Sequence, residues 1–291
     1  MKRELLIGTI AFMGTLILAS CGQGGNKAAP EAEFTYEVDR FEDISVLRYR
    51  LPAFEQLTAA EKEFIYYLSE AALCGRDILW DQNFRYNMAI RKTIEAIIDT
   101  YSGDRESADY KAFITYAKRV FFANGIHHHY SNDKFVPGFS ADYFVQLVNG
   151  SETARLPLKE GQTAADLTAM LTPVLFDHSL YAKKVDQSEG ADMITASANN
   201  FYEGVTQAEV EEYYATLADP ADPRPVSWGL NTKVAKVDGK VTEIPWKSGG
   251  MYGQAIDKIV YWLEKARDVA LSETQKLELD LLIQYYRSGD L

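Results

Sequence analysis

The chain has 291 residues, of which 47% are hydrophobic and 25% charged, and a net charge of −12. That length and composition exclude a disordered polymer and fit one large or two modest globular domains. The acidic balance, with no cluster of Lys and Arg, argues against nucleic acid and against anionic lipid as partners.

The first residues read as an address. Lys2 and Arg3 precede an almost unbroken apolar run from Leu5 to Leu18, closed by Leu18-Ala19-Ser20-Cys21. The run is short for a membrane span and fits a secretory signal over residues 1–20. Its closing tetrapeptide resembles the lipobox of bacterial lipoproteins, in which Cys21 carries the lipid and begins the mature chain. The body is then expected in the cell envelope, on the periplasmic or outer-membrane side, held to a membrane through that lipid alone. Residues 21–33, with their Gly, Gln, Asn, Ala and Pro, read as a flexible tether. With Cys21 so used, Cys74 is left as a lone thiol on a helix, a small buried hydrophobe.

Residues 34–291 form the folded body. Alternation from Phe34 to Leu51 predicts an extended start that Pro52 closes. Thr58-Ala-Ala-Glu61 is a capping box opening a helix that runs to about Trp80. Apolar spacing predicts further helices from about Asn83 to Tyr101, Ser107 to Ala123 and Ala141 to Val148. A longer one is expected from Ala164 to Lys184. Met193 to Tyr202 reads as extended, and Thr206-Gln-Ala-Glu209 opens a helix to about Leu217. Residues 229–237 and 240–246 alternate around Asp238-Gly239, a strong hairpin signal, with Pro245 marking an edge or an end. Two long helices finish the chain, Met251 to Ala270 and Glu273 to Arg287, the second opened by Ser272-Glu-Thr-Gln275.

The loop from Asn124 to Pro137 holds three of the four histidines, between two helices. Loops on rigid supports are where binding residues concentrate, so this is the first candidate for ligand contact. His127-His128-His129 does not make a zinc site by itself. Adjacent residues point to opposite sides of a strand or fan out around a helix, so at best one or two converge on an ion. The three read either as the polar lining of a cleft or as a hydrogen-bonded loop. No Gly-x-Ser-x-Gly, His-Glu-x-x-His or phosphate-binding glycine loop occurs, so no catalytic residue is assigned.

Several stretches fall into a familiar order. They are residues 54–72; Tyr110-Lys-Ala-Phe-Ile-Thr-Tyr-Ala117 with Asn124-Gly125 and Asp133-Lys-Phe-Val-Pro137; Phe201-Tyr202 with Thr206-Gln-Ala-Glu209, Leu230-Asn-Thr-Lys233 and Val237-Asp-Gly239; and Tyr252 with Ile259, Leu263, Glu264, Lys265 and Ala266. Together, across roughly residues 50–291, they resemble the dipeptidyl peptidase III family of zinc exopeptidases. The resemblance implies an enzyme that releases dipeptides from the amino end of short peptides. Its helical lobe carries zinc and faces a mixed lobe with a small β-barrel. This chain resembles the mixed, substrate-holding lobe, so the expected fold is α+β, mainly helical with a small antiparallel β-element.

The family's His-Glu-x-x-x-Gly-His motif and its Glu-Ser-Tyr-x-Asp-Pro segment are absent from these 291 residues. The chain is therefore expected to be the N-terminal part of a longer peptidase. It would bind no zinc itself and be inactive without a zinc-binding lobe as partner. Eukaryotic members have Asn-Tyr-Lys-Ser-Phe-Gly where this chain has Ile126-His-His-His-Tyr-Ser131, so the family's Ser-Phe pair falls on His129 and Tyr130. The resemblance thus implies peptide contacts from Asn124, Gly125, His129 and Tyr130. The alternative is a non-catalytic, lipid-anchored lipoprotein that binds peptides or glycans.

Overall fold

The computed structural model describes residues 34–290, so the expected signal segment 1–20, Cys21 and the tether 21–33 lie outside it. The body is α+β. It opens with a hairpin of β1 (Glu37–Phe41) and β2 (Ile44–Leu47). Helices α1 (Ala59–Cys74), α2 (Arg76–Asn83), α3 (Asn87–Thr100), α4 (Ala108–Ala123), α5 (Ala141–Asn149), α6 (Ala164–Phe176) and the single turn α7 (Met193–Ala196) follow. Then come β3 (Tyr202–Glu203), α8 (Gln207–Ala215), β4 (Thr232–Val237), β5 (Lys240–Pro245), α9 (Gly253–Asp268) and α10 (Glu273–Ser288).

The helix starts obey local chemistry. Thr58 accepts from the Glu61 amide while the Glu61 carboxylate takes the Thr58 amide at 2.7 Å, and Thr206 with Glu209 repeats the arrangement. Thr163 and Asp166 form a further box, unread in the sequence because Asp stands where Glu is usual. At α10 only half of the box forms. Ser272 accepts from Gln275, but the Gln275 side chain takes the amide of Leu271.

Elsewhere tertiary demands shortened the expected elements. The first helix is interrupted at Gly75, and α3 begins at Asn87 because Phe84 is extended and drives its fully buried ring into the core. The helix expected to reach Lys184 ends at Phe176. Lys134 buries its ammonium among the carbonyls of Val174, Asp177 and Leu180, and residues 182 and 184 pair instead with the histidine loop. Residues 193–196, expected to be extended, coil into one turn. The Asp192 carboxylate there accepts from the amides of Ile194 and Thr195 at 3.0 Å each.

The hairpin read at 229–246 is β4–β5, turning at Asp238 and Gly239, both with positive φ (49° and 78°), as a two-residue turn of this class requires. Alongside it β3 pairs in parallel with β4, so the antiparallel element expected is part of an open, mixed three-stranded sheet in the order β3-β4-β5.

Three apolar cores result among the described residues. The largest joins α2 through α6 around Trp80, Phe84, Phe113, Leu147 and Leu171. In the second, α1 and α10 pack on α9 through Ala71, Ile256, Leu263, Leu279 and Ile283. A small third one lies under the sheet, built on Val205, Val210 and Val234.

One buried amide sets the path of the chain out of α4. Asn124 ends the helix in the left-handed conformation (φ 52°), and Gly125 follows. The fully buried Asn87 donates to the Trp80 carbonyl at 3.1 Å and accepts from the Ile126 amide at 3.2 Å. A Cβ on residue 125 would lie 2.2 Å from the Asn87 side-chain nitrogen, so only glycine admits this contact. We therefore expect Gly125→Ala to lose about 2 kcal/mol or more in urea unfolding, through steric displacement of the amide. Asn87→Ala, which strands the Ile126 amide and leaves the Trp80 carbonyl only the long bond from the Phe84 amide, should lose about 2–3 kcal/mol by the same measurement.

Candidate functional site

Residues 126–135 are a closed, hydrogen-bonded turn. Phe135 donates to the Ile126 carbonyl and His128 to that of Asp133, both at 2.8 Å. The three histidines diverge. His127 is buried, with Nε2 2.8 Å from the Tyr181 carbonyl and its ring edge-on to Phe84. Burial pushes its pKa down to about 4, against the opposing pull of the Tyr181 carbonyl. Its Nδ1 is buried without a partner among the described residues.

His128 accepts at Nδ1 from the amides of Tyr130 and Ser131, both at 3.1 Å, which leaves any proton on Nε2. His129 stacks on His128 at 4.5 Å and lies edge-on to Phe122; burial, then the neighbouring His128, lower its pKa. Tyr130 is 82% exposed, with its ring 4.3 Å from that of His129. The structure thus brings His129 and Tyr130 together at the surface, while Asn124 and Gly125 serve the helix end through their backbone.

A wide concavity lies on the far side of Tyr181 from His127. A cleft of about 640 Å³ runs between Arg85 and residues 179–181 on one side and α7, β3 and Lys236 on the other. Such a volume falls within the range of ligand pockets. None of Asn124, Gly125, His129 and Tyr130 lines it. It is connected to the loop through Tyr181, whose carbonyl holds His127 and which itself lines the cleft. Arg85 is exposed at the α2–α3 junction and forms no ion pair among the described residues. Across from it, Lys236 pairs with Glu209 and holds that carboxyl below its ordinary pKa. The side-chain oxygen of Asn199 is buried in the wall with no donor among the described residues. The edge strand β3 has one side paired to β4 and offers Tyr202 and the following Gly204 to the cleft.

The residues that follow Asn199 join a polar chain that does not itself line the cleft. Lys233 on β4 is buried; its ammonium donates to the Asn200 side-chain oxygen at 3.0 Å and to the Glu203 carboxylate. The Asn200 amide in turn donates to Asp81 at 3.0 Å, and the Tyr252 hydroxyl donates to the same Asp81 oxygen at 2.6 Å. Burial first, and then Asp81, push the Tyr252 pKa far up, so it remains a donor. Lys233, Tyr202 and Tyr252 all fall in stretches that marked the family resemblance, yet periodicity gave them no role. Arg85 and Asn199 carried no sequence signal, since a lone Arg after a helix and an Asn-Asn pair are common in loops.

The zinc that the resemblance implies does not fit these residues. Zinc needs three or four donors converging at about 2 Å. His127 Nε2 is committed to a backbone carbonyl and His128 Nδ1 to two amides, so neither of these nitrogens is free for a metal. Among the described residues no group of three or more His, Cys, Asp or Glu side chains is placed to hold a metal ion, and no helix is long and apolar enough to cross a membrane.

His127 predicts a pH response. Its folded pKa lies below the ordinary 6.5, so the unfolded chain binds the proton more readily between pH 6.5 and about 4. Its contribution to stability is complete above pH 6.5 and is lost as pH falls toward 4, roughly 3 kcal/mol in all. His127→Gln, which keeps a donor for the Tyr181 carbonyl but does not titrate, should flatten the stability profile over that window in urea melts at stepped pH.

No family model matches the chain, and no curated protein matches it. Among solved structures it is similar to DPP III from Caldithrix abyssi, with 17% sequence identity and a TM-score of 0.47. That match covers 81% of this chain and 32% of the other, so the chain spans about a third of that protein's length.

Proposed function

We propose that the cleft beside β3 holds a short peptide in extended form, and that the chain acts as the peptide-holding lobe of a dipeptidyl peptidase III-like exopeptidase. The observation that carries this is the unpaired side of an edge strand lying along an open, polar cleft of about 640 Å³. An extended peptide adds to such an edge through main-chain hydrogen bonds, and pockets beside it select alternate side chains. The side-chain oxygen of Asn199, without a donor among the described residues, accepts a peptide N–H once the side chain turns from the wall into the cleft. The Arg85 guanidinium takes a carbonyl or carboxylate, and the rings of Tyr181 and Tyr202 pack on side chains. The ordered sequence stretches noted above support the assignment to this family's substrate lobe. Peptide hydrolysis would need the family's zinc chemistry from groups other than the described residues. These side chains bind and orient; no step is assigned to them.

Calorimetric titration with a short unmodified peptide tests the reading. Arg85→Ala and Asn199→Ala should each weaken binding about five- to tenfold, the equivalent of losing roughly one good hydrogen bond. Tyr130→Ala and His129→Ala should change it by less than about twofold, since neither lines the cleft. Undiminished affinity in both cleft variants would exclude the site.

A further inference from the structure

The charges that line the cleft beside β3 do not cancel. Arg85, Lys236 and Glu209 line it, two cations to one carboxylate, in a chain whose net charge is −12. Glu209 takes the ammonium of Lys236 together with the amide and hydroxyl of Thr206, so those two charges match each other. Arg85 has no such match. It is exposed at the α2–α3 junction, and among the described residues no carboxylate pairs with its guanidinium. Glu203 lies within its electrostatic reach, but Lys233 holds that carboxylate. The Tyr181 phenol also feels the guanidinium, which sets the cation beside the wall that His127 fixes through the Tyr181 carbonyl.

An unmatched cation in a concave site draws anions to it, because the low-dielectric walls focus its field. The remaining donors decide which anion fits. A phosphate site gathers several donors on one group, commonly backbone amides at a helix start. Here the hydroxyls of Ser179, Ser197 and Thr206 are already bonded to Asp177, the Met193 carbonyl and Glu209. The planar fork of Arg85 is left as the charged donor on offer, and one fork matches one carboxylate, two N–H groups against two oxygens. We infer that the cleft selects short peptides by a carboxylate, which Arg85 grips while the peptide backbone pairs with the open side of β3. The inference rests on the peptide-holding reading of the cleft and goes beyond it in naming the charge that the ligand carries. A chain end and an Asp or Glu side chain supply the same group to the guanidinium.

The test is calorimetric titration of the full-length chain with three forms of one alanine tetrapeptide: the free acid, the C-terminal amide, and the amide with Glu in place of the third Ala. The free acid should bind about five- to tenfold more tightly than the plain amide, and the gap should narrow at high salt. Arg85→Ala should remove the gap by weakening the carboxylate-bearing form alone. Arg85→Lys should keep part of it, because the charge stays and the fork is lost. Urea melts of both variants should match the unsubstituted chain, since the side chain is exposed. An advantage confined to the free acid assigns the grip to the chain end, and one confined to the Glu-bearing amide assigns it to a side chain; both support the inference. It is overturned when neither carboxylate-bearing form outbinds the plain amide, or when the advantage survives Arg85→Ala. In those cases plain-amide binding that Asn199→Ala weakens leaves the peptide-holding reading standing. No binding by any of the three forms removes that reading and the inference together.

Discussion

Among the described residues, the three cores are joined through one half-buried carboxylate. Asp81, on α2, accepts from Asn200 at the entry to the sheet and from Tyr252 at the entry to α9. Asn200 in turn accepts from the ammonium of Lys233 on β4. A buried cation is costly unless its donors are met, and here an amide oxygen and the Glu203 carboxylate meet them. The helical body, the small sheet and the α1–α9–α10 layer are therefore held in register by polar contacts whose geometry tolerates little displacement. Apolar packing would hold them together without fixing one angle.

This junction explains why the cleft stays open. Residues 197–204 must run extended past α2 to deliver Asn200 and Glu203 to Lys233, and the same course leaves Asn199 and Tyr202 on the cleft side. On the opposite wall, the Asn87 amide positions the chain leaving α4, and His127 then clamps the carbonyl of Tyr181. The two walls are thus fixed independently, each by a buried polar group with few alternatives. A histidine cluster that draws the eye in the sequence supports this wall through its first member and reaches the surface with the other two.

The local elements were well marked in the sequence, and for identifiable reasons. The boxes at Thr58 and Thr206 and the Asp-Gly turn at 238–239 depend on residues within four positions of one another, so their chemistry is complete in the local sequence. Several of the misjudged stretches answer to something distant. Lys134 stops α6 from more than forty residues away, and Phe84 delays α3 because its ring is needed in the core. Residues 193–196 coil around Asp192, whose second oxygen also takes the Gln207 amide.

Of the site, the loop at 124–130 was legible as a place where two helices meet, because Asn-Gly and a run of polar rings declare a turn. The cleft beside β3 was not. Its walls come from residues 85, 179–181, 194–209 and 236, and no periodicity links them. The sequence alone determined the helices, the hairpin, the acidic balance and the ordered stretches that resemble a peptidase family, since each is written in neighbouring residues. Tertiary structure decided which carbonyls Lys134 and His127 hold, where Lys233 hides its charge, and which side of the sheet is left open. Those outcomes depend on desolvating polar groups against distant partners, and only the folded chain brings such partners together.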